Sequence, residues 1–275
     1  RPVDGFEIAL EGDDLGGTWR LAGITRAESA DPAGLLVTVE LTSTARPVRV
    51  KIHTLLTGGP VMVRWLEITN TGKVPTAITR VSPWSGSLWN MSSYTERLAS
   101  PTEPAFEFAR TEYQDQLKEA AWVFEPLNNS ARTLSGTRGK SGWGHPTFFA
   151  RNRATGEWFV GSLGWSGNWE IQLDARQDAA ANTASFRFSM GPAAADPALR
   201  VLAAGETVRS PEAHLLCLRG DLDQVIQALH EHVRANVFQR PIRGREFQVE
   251  ANHRGYIIDH EDEPGLKREI DIAAH

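Results

Sequence analysis

The sequence predicts a mainly β protein: a large two-sheet antiparallel β-sandwich, then one amphipathic linker helix, then the first strand and helix of a βα unit. Three observations predict it. Apolar and polar residues alternate with a period near two through much of the chain before Gly220. Turn signals separate the alternating runs at short intervals, and only after Gly220 does the apolar spacing change to three and four residues.

The runs Leu35–Thr42 (LLVTVELT), Val48–Leu56 (VRVKIHTLL) and Val61–Thr69 (VMVRWLEIT) each send one face inward and one outward, and they are rich in the β-branched residues that suit strands. Asp31-Pro32, Gly58-Gly59-Pro60 and Asn70-Thr71-Gly72 separate them, so Phe6 to Arg80 reads as an antiparallel meander. From Ser82 to Ser135 the pattern is less regular and carries Trp84, Trp89, Tyr94 and Trp122, with Pro101 and Pro104 between them. Aromatic residues in such connections either form a binding rim or pack on the sheet. Strands resume in TFFARN, EWFVGSLG, NWEIQLDA and TASFRFSM, with Ala154-Thr155-Gly156 as a hairpin connection.

Beyond Gly220, Leu222, Val225, Ile226, Leu229, Val233 and Val237 recur at helical spacing behind Asp221 as N-cap. The predicted helix runs from Leu222 to Val237 and ends before Pro241. From Phe247, FQVEANHRGY reads as a strand, DHEDEP as an acidic turn and LKREIDIAAH as the start of a helix. The division is therefore residues 1–219 as sandwich, 220–245 as linker helix and connection, and 246–275 as the opening of a βα array.

A chain of 275 residues with 41% hydrophobic and 23% charged residues can build one large domain or two small ones. A formal net charge of −5 leaves no basic footprint for nucleic acid, and no apolar run approaches the ~18 residues of a membrane helix. Cys217 is the only cysteine, which rules out an intrachain disulfide and a cysteine-based metal cluster. Asp221 and Asp223 answer the free N–H groups and positive dipole of a helix start. His230 and His232, two apart, point to different sides of the helix, unlike the four-residue spacing of a zinc-binding pair. No metal and no cofactor are expected, and the protein is expected to be soluble, either cytoplasmic or secreted or periplasmic after loss of a signal peptide.

The densest functional signal lies between Gly136 and Ile171, where Trp143, Trp158, Trp165 and Trp169 stand with Arg138, His145, Asn168 and several glycines. An indole face stacks on the C–H face of a pyranose, while indole N–H, amide and guanidinium groups select hydroxyl orientation. The same tryptophans also suit a sandwich core.

GTRGKSGWGHPTFF resembles the RG-x-S-x-x-x-H/N-P-F segment of glycoside hydrolase family 36, the microbial α-galactosidases. GWSGNW resembles that family's Y-S-G-N-F segment, with Trp165 and Trp169 in place of its aromatics. LAAGETVRSPEAHL, from Leu202 to Leu215, is similar to its L-x-P-G-E-x-x-x-T-P-E strand pair. DLDQVIQALHEHVRANV is similar to its linker helix, with His230 and Arg234 matching H-x-x-x-R. These four matches run in order from Gly136 to Val237; RWLEITN adds a supporting likeness earlier in the chain.

The resemblance implies the amino-terminal β-supersandwich of such an enzyme, a homo-oligomer, and a galactosyl oligosaccharide or glycoside as substrate. FQVEANHRGY would then be the first strand of a catalytic (β/α)8 barrel; it keeps Asn252 but has His253 and Arg254 where the family has Trp and Glu. Trp143, His145, Trp165, Asn168 and Asn252 are the candidate sugar contacts. The implied chemistry is retaining hydrolysis by two carboxylates about 5–5.5 Å apart, one attacking the anomeric carbon and one serving as acid and then base. One strand and one helix cannot close a barrel, so those carboxylates are expected beyond His275, with no catalytic residue in this segment. Glu103, Glu107, Glu112, Asp115 and Glu170 are candidates by type, and no spacing pairs them. A free-standing carbohydrate-binding module and a purely structural or oligomerisation domain are the alternatives.

Overall fold

The computed structural model describes residues 5–111, 122–137, 144–194 and 197–238, together with the helical residues Pro264, Lys267, Arg268 and Asp271. The chain divides into two units, Arg1–Val237 and Phe238–His275. In the second, the five described residues, Phe238 among them, are exposed. The strand expected from Phe247 and the residue Asn252 lie outside the described residues.

In the first unit, β1 (Glu7–Leu10) turns into the two-residue β2 (Asp13–Asp14). The predicted meander follows as β3 (Trp19–Ala30), β4 (Ala33–Ser43), β5 (Val48–Leu56) and β6 (Val61–Asn70). Next come β7 (Thr76–Ser82), β8 (Trp84–Ser92), β9 (Phe106–Thr111), β10 (Trp122–Leu127) and β11 (Ser130–Gly136). The chain continues through β12 (Thr147–Asn152), β13 (Glu157–Gly164), β14 (Trp169–Asp178) and β15 (Thr183–Pro192), and closes with β16 (Arg200–Leu202), β17 (Thr207–Arg209) and β18 (Glu212–Arg219). β5 spans the residues the alternation marks, and Gly156, at φ 73°, turns the hairpin between β12 and β13.

The sandwich has two layers but three sheets. A ten-stranded sheet in the order β10-β9-β12-β13-β18-β6-β5-β4-β3, with β17 added on β6, forms one layer. The other layer is divided between β16-β7-β1-β2 and β11-β14-β15-β8. Pro83, between β7 and β8, is where the chain passes from one small sheet to the other; lacking an N–H, proline cannot carry a ladder across that point. The expectation of two sheets therefore holds for the layers and not for the hydrogen-bonded ladders.

Each small sheet has its own core against the large one. Ile8, Leu10, Ile78 and Val81 pack on Val48, Val50, Leu66 and Ile68. Ile171, Leu173, Phe186 and Phe188 pack on Phe106, Phe108, Phe148 and Leu215, with Trp89 and Tyr94 buried among them. Gly191 of β15 lies against the Val81 carbonyl of β7, joining the two halves.

The outer face of the large sheet is covered by α1 (Leu222–His232), whose Val225 is fully buried with Phe149, Trp158, Val160 and Leu216. Burying such a valine favours the fold by about 1.5–3 kcal/mol. Asp221 caps α1 as the sequence indicates: its Oδ1 accepts from Gln224 N at 2.8 Å, and Gln224 Oε1 accepts from Asp221 N at 3.0 Å. The helical course reaches Val237 as expected, but its last turn, Val233–Val237, widens to π geometry. Among the described residues, no helix is long and apolar enough to cross a membrane.

Candidate functional site

Register brings the candidate residues to one end of the sandwich. Thr147 at the start of β12 pairs with Ser162 near the end of β13, and Gly164 pairs with Glu212 at the start of β18. Gly136 at the end of β11 pairs with Trp169 at the start of β14, and Thr111 at the end of β9 pairs with Trp122. His145, Trp165 and Asn168 therefore sit on one rim. His145 N donates to Thr111 Oγ1 at 3.1 Å, fixing its loop to β9. Trp143 and Arg138 lie outside the described residues.

The four tryptophans of the Gly136–Ile171 stretch have different fates. Trp158 is 4% exposed and donates from Nε1 to the Gly220 carbonyl at 3.0 Å, linking β13 to the start of α1. Trp169 is 3% exposed, and its indole lies directly on the backbone of Gly136; a β-carbon at Gly144 would sit 3.6 Å from its Cζ2. Trp169 thus packs against both Gly136 and Gly144. Trp165 is 43% exposed. Its ring folds back over Gly167, and its N–H is spent on the Asn168 carbonyl at 3.0 Å. What Trp165 offers a ligand is therefore an indole face rather than a donor.

Of the aromatics between Ser82 and Ser135, Trp89 and Tyr94 are core, and Trp84 lies half-buried under the Arg64 guanidinium at 3.9 Å. Trp122 is 39% exposed at the rim and meets Phe149 edge-on at 4.6 Å. The exposed ring was not separable from the buried ones by type. Alternation along β10 marks its odd face, but not that this face is left open.

His214, which no motif singles out for chemistry, belongs to the same end through its pairing with Ser162. Its Nδ1 lies 2.9 Å from His232 Nε2, and Asn236 Nδ2 lies 3.2 Å from His232 Nδ1. An amide nitrogen only donates. His232 Nδ1 is thus the acceptor, its Nε2–H is given to His214 Nδ1, and the remaining His214 proton sits on Nε2, 3.7 Å from Glu212 Oε2. Burial lowers both imidazoles to about 4, helped at His232 by its partner, so both are neutral near pH 7.

Of the acids that are candidates by type, Glu103 pairs with Arg153 at 3.5 Å, Glu107 with Arg151 at 4.0 Å, and Glu170 accepts from Gln172 at 2.6 Å. Glu112 and Asp115 lie outside the described residues.

No protein-family profile matches the chain, and no curated protein matches it. Solved structures do. The family 36 α-galactosidase AgaA of Geobacillus stearothermophilus, in complex with stachyose, is 18% identical with a TM-score of 0.68, over 88% of this chain and 34% of that one. The fold is one found within family 36 α-galactosidases. An α-galactosidase from Lactobacillus brevis matches at 16% identity and TM-score 0.60, over 85% of this chain and 29% of its own. The galactosidase domain of the α-galactosidase–sucrose kinase AgaSK matches at 20% and 0.60, over 84% and 32%. The chain thus spans about a third of the length of these α-galactosidases.

Proposed function

We propose that this chain is the amino-terminal, non-catalytic β-sandwich of a retaining glycoside hydrolase acting on terminal α-galactosides. It supports a catalytic barrel that opens within residues 246–275, takes part in subunit assembly, and lends the rim built on Trp165, Asn168 and His145, with Trp143 and Asn252, to the sugar site. The observation that carries this reading is the fold shared with α-galactosidases at TM-scores up to 0.68. AgaA structures hold stachyose and raffinose, both galactosyl oligosaccharides. The rim agrees with it: an exposed indole face at the end of the sandwich where the chain's sequence likeness to the family is concentrated.

The test is hydrolysis of a chromogenic α-galactoside by the 275-residue chain, with mass spectrometry establishing that no longer polypeptide is present. No turnover is expected, because on this proposal the carboxylate pair is not among these residues. Turnover above a blank that is lost on replacing Glu103, Glu107 or Glu170 would overturn the non-catalytic assignment.

A free-standing carbohydrate-binding module is the second reading. It is favoured by the compact unit that ends at Val237, and it predicts sugar affinity without dependence on any barrel.

A further inference from the structure

A cleft of about 320 Å³ opens between the β1–β2 hairpin and the outer face of the β11-β14-β15-β8 sheet. Its volume is at the lower end of the ~300–1,000 Å³ typical of small-molecule sites. It shares no residue with the rim described above. The floor comes from cross-strand neighbours: Gln172 pairs with Ser189, and Asp174 pairs with Arg187. The wall is Glu7 and Trp19, with Phe6 behind, the two rings 5.2 Å apart and tilted.

The polar groups of this cleft are held in place. Arg80 reaches Glu7 at 3.6 Å and Asp14 at 3.0 Å, and Ser82 Oγ donates to Glu7 at 3.4 Å. Arg176 Nε lies 2.9 Å from Asp174 Oδ1. The Glu7 and Asp174 side chains keep 34% and 37% of their surface, open enough for contact yet short of full hydration. Burial pushes the Glu7 carboxyl above its ordinary value, against the pull of Arg80.

The mixture of groups selects the ligand class. Arg80 and Arg176 already pair with Glu7, Asp14 and Asp174, so a simple cation gains little from them and also meets Arg187, while a simple anion meets the three carboxylates. A neutral polyol meets no like charge. Its vicinal hydroxyls can donate to carboxylates and accept from guanidinium and amide in the same orientation, while an indole takes the C–H face of the ring. We propose that this cleft binds one pyranose ring of a neutral oligosaccharide. The proposal stands on the cleft's own chemistry and not on the rim or on the α-galactosidase reading.

Titration of the whole 275-residue chain with raffinose, maltotriose and cellotriose, followed by calorimetry and saturation-transfer NMR, tests it. At least one sugar is expected to bind with a Kd in the mM range, as suits a single ring in an open cleft. Asp174→Asn and Trp19→Ala are each expected to weaken that binding about tenfold or more. Trp19 also packs on Phe6, so Asp174→Asn, isosteric and half-exposed, decides the matter if the tryptophan variant melts early. No binding of any of the three up to about 50 mM overturns the proposal. So does binding that Trp165→Ala abolishes while both cleft variants bind as the parent does, an outcome that would instead favour the rim. Sodium phosphate or ethylamine occupying the cleft in preference to the sugars would overturn the neutral-ring assignment.

Discussion

At Gly191 a β-carbon would fall on the Val81 carbonyl oxygen, a backbone atom that no rotamer change can move aside. Gly191→Ala is therefore expected to destabilise the protein by about 1–3 kcal/mol through overpacking, read as a lowered urea midpoint; an unchanged midpoint would mean that β7 and β15 do not press together. Trp169 and Trp165 are four residues apart and make opposite predictions. Trp169→Ala empties a site in the main core and is expected to cost about 3–5 kcal/mol. Trp165→Ala removes an exposed ring, so its melting temperature should stay within about a degree or two of the parent while, if the rim has the proposed function, sugar affinity falls. Equal melting losses for the two would remove Trp165 from the list of ligand contacts. Type alone did not separate these indoles in the sequence. Strand alternation marks two faces, but β13 is buried on both, Trp158 toward α1 and Phe159 toward the main core, so alternation there does not tell inside from outside.

The strand and helix signals that were legible are local ones. β5 could be read from its period and the start of α1 from Asp221, because the physics of a pleat or a cap is contained within a few residues. Partner choice is not local. Nothing in VMVRWLEITN says that β6 will meet β17 and β18, and the cleft, assembled from β1, β2, β3, β8, β14 and β15, left no contiguous trace. The contact of α1 with β18 carries a pH signature through the pair His214 and His232. Both imidazoles titrate near 4 in the fold, against 6.5 for the ordinary group. As pH falls below about 6.5 the unfolded chain takes up protons that the folded chain refuses, so stability is lost between about pH 6.5 and 4. Glu212 Oε2 stands 3.7 Å from His214 Nε2 and is itself paired with Arg209. Glu7, raised by burial, works in the opposite direction at the acid end of that window. Urea midpoints at pH 7 and pH 5 should differ less for His232→Gln than for the parent. An equal drop would show that the pair is not the titrating element.

Taken whole, the first unit has two cores laid side by side on one continuous sheet and closed by α1, and it ends at Val237. A chain shortened to end at Val237 is expected to keep the melting temperature of the 275-residue protein within a few degrees; a collapse of cooperative melting would place residues beyond it inside the fold's stabilising contacts. The sheet order has one more consequence, and it concerns time. β6 is sealed on its far side by β17 and β18, and the hydrogen bond from Leu66 N to Ser210 Oγ spans 144 residues. At ribosomal rates of ~5–20 residues per second, the meander waits some 7–30 s with an open, apolar edge before its neighbour is made. Closing so long a loop also slows refolding in the tube. The vulnerable interval for this protein is its own synthesis, when half a sheet exists without the strand that completes it.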